Sequence, residues 1–265
     1  MRIGFVGMGN MARPIVATVA RHRLIGKADL FVHDPSSEAA AYCQKMDYVY
    51  CQSNAQVVAE SDIIFLLIKP QYLIGVLQSL TDCSAEKCFV SFAAGITTAS
   101  IAVQLHPTAS VMRVMPNTPM QIGCGACALA IPKDNVPMAY VDFLREILDA
   151  SGMYVELPEA QMDAVIAVNG STPALFYQLA QAIAQFGATH GIDEKDALLL
   201  AAKTMEGSAR MLLQGDSSPD ALTNVVTSKG GTTFEMLQTL RGNRFYDALN
   251  DGLTACVKRA EELAK

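Results

Sequence analysis

With 265 residues, 51% of them hydrophobic, the chain is long enough to fill one large core or two ordinary ones, and wholesale disorder is excluded. A formal net charge of −6 and a pI near 5.2 argue against a nucleic-acid-binding surface, and no apolar run is long enough to cross a bilayer. Seven cysteines, odd in number and scattered, do not make a secreted disulfide framework and read as reduced thiols. Met1-Arg2 leads straight into the first apolar run with no leader-like segment ahead of it, so a cytoplasmic location is expected.

That first run, residues 3–6, breaks into Gly7-Met8-Gly9-Asn10-Met11-Ala12 and continues with helical periodicity, the pattern of a strand, a glycine turn and a helix start. Gly7 suits a turn that a Cβ would obstruct, Gly9 lets the main chain approach a pyrophosphate, and Ala12 is small where helix and strand pack. The N–H groups of Gly9, Asn10 and Met11 are then expected to point at the anion, with the helix dipole behind them. Glycine strings alone are common; this one follows a strand and opens a helix, which makes it a dinucleotide-binding turn. Pro14 falls close enough to the helix start to be tolerated.

A second strand is expected at 29–33, ending in Asp34-Pro35-Ser36-Ser37, and a short third at 48–51, after which Ser53-Asn54 offers a helix cap. Residues 63–68 are a continuous apolar run, as in a central strand buried on both faces, and end at Lys69-Pro70-Gln71. A fifth strand at 89–92 closes at Ala93-Ala94-Gly95, and a sixth at 110–114 closes at Met115-Pro116-Asn117-Thr118-Pro119. Ligands of such sheets collect at the carboxyl ends of the strands, so these loops are the candidates. Cys124 and Cys127 lie in an apolar, strand-like stretch without a second Cys/His pair at zinc spacing, and both read as buried strand residues; no metal site is expected. The four histidines have no neighbours suggesting a triad or a metal site. Residues 152–156 make a last strand.

Beyond it the strand pattern stops. The fold class is therefore α/β: a Rossmann-type, doubly wound, mostly parallel sheet over residues 1–157, followed by an all-helical dimerisation domain over 158–265. Pro158 is placed to open a long helix reaching about His190, bent at Gly170-Ser171-Thr172-Pro173. Asp193 caps the next helix, to about Leu213, whose stretch Ala197-Leu198-Leu199-Leu200-Ala201-Ala202 is apolar nearly all round. Such a helix needs a partner surface, and a second copy of the chain is the expected one. Further helices are expected at 219–226, 232–240 and 245–263. Between two of them, Val226-Thr227-Ser228-Lys229-Gly230-Gly231-Thr232-Thr233 is either a second anion site, with N–H groups of Gly231, Thr232 and Thr233 exposed beside Ser228, or an ordinary capped turn.

Taken together, the glycine turn, the apolar strand ending Lys69-Pro70-Gln71, Ala93-Ala94-Gly95, the run from Arg113 to Pro119, and Ser228 to Thr233 resemble the pyrroline-5-carboxylate reductase family along nearly the entire chain. Lys229 stands where that family usually has proline, and Thr172 where it has glycine. The resemblance implies hydride transfer from NADPH, with NADH as the alternative donor, to the C=N carbon of 1-pyrroline-5-carboxylate, giving L-proline. It implies that Thr233 is catalytic, beside the substrate nitrogen, and that Ser228, Gly230, Gly231 and Thr232 hold the substrate carboxylate. For the cofactor it implies Gly7, Met8, Gly9, Asn10, Met11, Asn54, Ile68, Lys69, Pro70, Ala93, Ala94, Gly95 and Asn117, the last at the nicotinamide end. At the adenosine end two readings stand: Asp34 on a ribose 2′-hydroxyl, which favours NAD, or Ser36 and Ser37 around a 2′-phosphate, which favours NADP and is the one adopted. The partners expected are a small-molecule substrate and a second copy of the chain, with a ring of dimers as a higher assembly.

Two other readings are weighed. A β-hydroxyacid-type dehydrogenase would place a catalytic lysine on the long helix, but the chain has neither Lys nor Arg between Leu157 and Glu194. A non-catalytic NADP-sensing module would have no need of the hydroxyl-rich loop. The enzymatic reading requires the glycine turn and that loop to face one cleft, with the loop drawn from the same or a neighbouring subunit.

Overall fold

The computed structural model describes residues 1–132 and 135–263. It divides into two compact units: residues 1–171, joined by the end of the last helix from Cys256 onward, and residues 172–255. The strand pattern ends at Glu156, before the division between the units.

The first unit is an eight-stranded sheet of β1 (Ile3–Val6), β2 (Leu30–His33), β3 (Val49–Tyr50), β4 (Ile63–Leu66), β5 (Cys88–Ser91), β6 (Ser110–Met115), β7 (Gly125–Ala130) and β8 (Gly152–Glu156), in the spatial order β3-β2-β1-β4-β5-β6-β7-β8. Every neighbouring pair is parallel except β6 and β7, which run antiparallel. The helices are α1 (Ala12–Arg21), α2 (Ser37–Met46), α3 (Asn54–Glu60), α4 (Pro70–Gln78), α5 (Thr98–Ala102) and α6 (Met138–Ala150). Ile63, Ile64, Phe65 and Leu66 are all fully buried because both faces of the sheet are covered. Ile15 and Val19 of α1, Cys43 of α2 and Leu144 of α6 pack on the face carrying Phe5 and Phe65; Val57 of α3, Leu73 of α4 and Ile101 of α5 pack on the face carrying Ile64 and Leu66. The order of strands reverses between β1 and β4, and that crevice is where a doubly wound sheet receives its ligand.

β4 stops at Leu66, two residues before the end of the apolar run. Leu67 still donates its N–H to Val6 O at 2.9 Å, but Lys69 is the N-cap of α4 and Pro70 its first residue, so the chain turns there. Cys127 is a buried residue of β7 as expected, whereas Cys124 precedes the strand and is exposed. The long helix expected from Pro158 to about His190 is interrupted where its bend is expected. Before the interruption stand a 3₁₀ turn (Glu159–Gln161), a single turn α7 (Met162–Val165) and a π-helical turn (Ile166–Gly170); after it a regular helix runs over Thr172–Thr189. The Ser171 N–H reaches back five residues to Ile166 O at 2.8 Å, and Pro173, lacking an N–H, has no α-helical bond to make to Asn169 O.

This segment is fastened to the sheet by a buried charge. Arg113, in β6, is 1% exposed; its Nη2 donates to Asp163 Oδ1 at 2.8 Å and its Nη1 lies 3.7 Å from Glu159 Oε1. Glu159 also accepts the Thr98 N–H at 2.6 Å and the Thr98 hydroxyl. The cluster thus joins three stretches of chain, α5, β6 and the turn after β8.

The second unit contains α8 (Thr172–Thr189), α9 (Glu194–Gln214), α10 (Pro219–Val225), α11 (Thr232–Gly242) and the first part of α12 (Phe245–Leu263). The Asp193 carboxylate caps α9 by accepting the Lys195 and Asp196 N–H groups, and α8 packs on α9 closely enough that a Cβ on Gly187 would lie 2.9 Å from Ala197 Cβ. Ala197 and Ala201 are buried there. Leu199 and Leu200, on the apolar stretch of α9, are 69% and 63% exposed, and Phe186 of α8 is 66% exposed.

Removing a partner from a buried ion cluster leaves uncompensated charge. Arg113→Ala is accordingly expected to lower the unfolding free energy by about 3 kcal/mol, measured by denaturant titration; a change under about 0.5 kcal/mol would show that the cluster contributes nothing.

Candidate active site

At the reversal between β1 and β4 the chain backbones come very close. Gly7 has φ +99°, and a Cβ built there would stand 2.8 Å from Leu67 O, so only glycine fits. Its N–H donates to His33 O at 2.9 Å, extending the β1–β2 ladder into the turn. Gly9 and Asn10 are exposed, and a Cβ on Gly9 would meet no atom within 4 Å. That opening leaves the main chain approachable by an anion. The turn then closes with the Ala12 and Arg13 N–H groups on Gly9 O, at 3.1 and 3.2 Å.

The end of β2 is tied to this turn. Asp34 Oδ2 accepts the Met8 N–H at 2.8 Å and Oδ1 accepts the Ser36 N–H at 2.9 Å. Burial, the largest influence, pushes the Asp34 carboxyl up, but the two main-chain N–H groups and the Ser36 hydroxyl outweigh it and hold the group below the ordinary carboxylate range. Asp34 is thus a brace of the glycine turn as well as a candidate for the ribose. Ser36 caps α2, accepting the Ala39 N–H at 3.2 Å, and Ser37 is exposed on its first turn. Asn54 opens α3, where Ser53 is the cap.

Beside the turn is a cleft of ≈ 330 Å³. Met11, Leu67, Ile68, Lys69 and Ala94 line it, and so do Met115, Pro116, Gly170 and Ser171. Its floor includes Phe92, the end of an aromatic row in which Phe5 stacks on Phe65 at 5.0 Å and Phe65 on Phe92 at 5.9 Å. Of the expected cofactor residues, the cleft brings together Met11, Ile68, Lys69 and Ala94. Pro70 starts α4, Ala93 is buried beneath the loop, and Gly95 turns the chain with φ +74°. Asn117 is 9% exposed and not among the lining side chains; its Oδ1 accepts the Ala126 N–H at 2.9 Å, so the carbonyl oxygen serves the sheet. The π-turn residues were not foreseen. Their signal, Gly170 after the apolar run 164–168 and three residues before Pro173, marks a bend without revealing which atoms it brings to the cleft.

The hydroxyl-rich loop lies in the second unit. Gly230 has φ +71°, and the Gly231 N–H donates to Ser228 O at 2.9 Å, closing a tight turn before α11. This corrects one expectation: the Gly231 N–H is engaged by the turn and does not face an anion. What Gly231 supplies is room, because a Cβ there would fall 2.5 Å from Ser228 Oγ. Gly231 is the N-cap of α11 and no side chain caps the helix, so the Thr232 and Thr233 N–H groups head it without an intrahelical acceptor. Thr233 is half-buried, and Ser228 and Thr232 are exposed. Among the described residues no group of three or more His, Cys, Asp or Glu is arranged to hold a metal ion.

Fold and turn define a dinucleotide-binding oxidoreductase built from a Rossmann-type unit and a helical one. A family model described as pyrroline-5-carboxylate reductase dimerisation matches residues 159–263, and one described as NADP oxidoreductase, coenzyme F420-dependent, matches residues 2–95. The chain is 36% identical over 269 residues to a pyrroline-5-carboxylate reductase of Pseudomonas aeruginosa, covering 100% of this chain and 97% of the relative. It superposes on a pyrroline-5-carboxylate reductase from Coxiella burnetii with a TM-score of 0.90 and 30% identity, and on a Plasmodium falciparum pyrroline carboxylate reductase with NADP bound with a TM-score of 0.90 and 24% identity; each covers 100% of this chain and 98% of the other. The chain belongs to the pyrroline-5-carboxylate reductase family.

The two glycines of the turn are expected to respond differently to a methyl group. Gly7→Ala should lose roughly 1–3 kcal/mol of stability through the positive φ and the contact with Leu67 O, whereas Gly9→Ala should stay within about 0.5 kcal/mol of the parent. Denaturant titration of both variants checks this, and equal losses would contradict it.

Proposed function

We propose that this protein reduces 1-pyrroline-5-carboxylate to L-proline, a hydride transfer to a C=N bond, with NADPH as donor. The observation that carries the reading is the presence, on a chain of this family, of two loops suited to two anions: the open glycine turn at Gly7 to Met11, and the Ser228 to Thr233 turn with the Ser228 hydroxyl over Gly231. The open space above Gly9 fits a pyrophosphate, and the apolar cleft fits a nicotinamide ring. When bound, the nicotinamide supplies the hydride; the chain's own residues bind, orient and exclude water.

Met8, Gly9, Asn10 and Met11 follow the pyrophosphate. The main chain at Ile68, Lys69 and Pro70, with Asn54, Ala93, Ala94, Gly95 and Asn117, shapes the rest of the dinucleotide site. Ser36 and Ser37 at the start of α2 take the 2′-phosphate, and the bonds from Met8 and Ser36 orient the Asp34 charge. In the second loop Ser228 and the Thr232 and Thr233 N–H groups take the substrate carboxylate, Gly230 and Gly231 shape the turn, and the Thr233 hydroxyl orients the ring and donates a hydrogen bond toward the imine nitrogen. Protonation of that nitrogen makes the carbon a good hydride acceptor, so holding two rings face to face is the main task. Lys229 adds a positive charge beside an anionic substrate.

In this reading residues 1–157 bind the dinucleotide, and residues 158–265 dimerise and bind substrate. The exposed Phe186, Leu199 and Leu200 support a second copy as the partner, since single chains rarely expose so much apolar surface. No helix among the described residues is long and apolar enough to cross a membrane, and the described cysteines are all free thiols, which is compatible with the cytoplasm.

Purified protein mixed with NADPH and pyrroline-5-carboxylate is expected to consume reduced nicotinamide, more slowly with NADH. Thr233→Val and Ser228→Ala should each lower kcat/KM by at least about tenfold, or about 1.4 kcal/mol of transition-state stabilisation. Parental values in both variants would remove the second loop from the site.

A further inference from the structure

We propose that Asn169 is a positioning residue for hydride transfer, fixing one wall of the cleft by completing the sheet where β6 ends. The inference rests on the reading that the cleft receives the nicotinamide.

The antiparallel ladder between β6 and β7 pairs Arg113 with Ala130, Val114 with Leu129 and Met115 with Ala128. Continuing that register sets Asn117 opposite Ala126. The strand does not continue: β6 ends at Met115 and the chain turns through Pro116 into the 118–122 3₁₀ segment. The N–H and C=O of Ala126 would be left facing an absent strand. Side-chain amides replace it: Asn117 Oδ1 accepts the Ala126 N–H at 2.9 Å, and Asn169 Nδ2 donates to Ala126 O at 2.8 Å. The other Asn169 N–H goes to Met115 O at 3.0 Å. One NH₂ group therefore joins the last residue of β6 to β7.

The orientation of this amide is forced, since turning it over would set its oxygen against two carbonyl oxygens. Asn169 Oδ1 is buried and has no hydrogen-bond partner among the described residues. An orphan acceptor of this kind costs about 1–3 kcal/mol, which offsets much of what the two N–H bonds contribute to stability. The π-helical turn is what aims it. The widened turn directs residue 169 at the strand ends, and Ile166, Gly170 and Ser171 reach the cleft beside Met115 and Pro116. A Cβ on Gly170 would already lie 3.8 Å from Met115 Sδ. Asn169 thus locks together two chain segments that line the cleft along with Leu67, Ile68 and Lys69.

Ring-to-ring hydride transfer requires a near-attack separation of about 3–3.5 Å, and about 1 Å of play can cost on the order of 100-fold in rate. Loosening the wall should therefore reduce the chemical step and leave the adenosine half of the site intact. The test compares Asn169→Leu, similar in size with no donor, and Asn169→Ser, which keeps one donor. Four quantities are read: kcat and KM for the imine, the primary isotope effect with NADPH deuterated at the transferred position, the calorimetric Kd of 2′,5′-ADP, and thermal unfolding. Expected for Asn169→Leu is a fall in kcat of about 10- to 100-fold, a KM changed less than about threefold, a larger isotope effect, and a Kd within about twofold of the parent; Asn169→Ser falls between. A folded Asn169→Leu with kcat within about twofold of the parent, or with a lowered melting temperature as its only change, overturns the inference. If Asn169→Leu does not fold, Asn169→Ser is judged by the same limits. A parent protein inactive on the imine would instead refute the assigned reaction.

Discussion

Everything at this site depends on how closely β1 and β4 converge. The absence of a Cβ at Gly7 lets its main chain pass within van der Waals reach of Leu67, and the positive φ turns the chain upward at that point. From this one approach follow the opening above Gly9, the start of α1 and the position of Ile68 and Lys69 across the crevice. The aromatic row of Phe5, Phe65 and Phe92 runs beneath it and gives the turn a rigid floor. A ligand loop built over a packed sheet is held by the core.

The loops around the cleft are braced by polar side chains that resemble ligand-binding groups. Asp34 accepts the Met8 N–H, Asn117 and Asn169 stand in for a strand that ends at Met115, and Arg113 draws Glu159 and Asp163 onto the sheet. Each is at least partly withdrawn from water and satisfies main-chain groups or charges that the loops would otherwise strand. A polar residue near a binding site is as readily a support for the loop as a contact to the ligand.

That distinction is where the sequence is hardest to read. The glycine turn, the apolar run of β4 and the serine cap at Ser53 act through local rules of spacing and conformation, and each stands where the pattern places it. Gly230 and Gly231 likewise mark a turn before a helix. The role of Asn117 depends on β7 running antiparallel beside β6, a long-range fact that no local pattern carries. For Gly231, the sequence cannot tell a free N–H from one that closes its own turn on Ser228. The break after Pro158 is similar. Apolar periodicity announces a helix, but the π-turn and the pull of Arg113 on Glu159 and Asp163 are tertiary effects that divide it. The exposed leucines of α9 are the opposite case, since their excess of apolar surface is visible in the sequence and points outward to a partner.

The central claim is that the glycine turn and the Ser228 to Thr233 loop serve a single reaction. A crystal structure of the dimer with NADP⁺ and L-proline bound measures it directly. The account predicts the proline carboxylate on Ser228 and the start of α11, its nitrogen beside Thr233, and the ring carbon that received the hydride roughly 3–3.5 Å from the nicotinamide C4. Proline bound away from that loop, or held there with the nicotinamide beyond reach in every subunit, would contradict it.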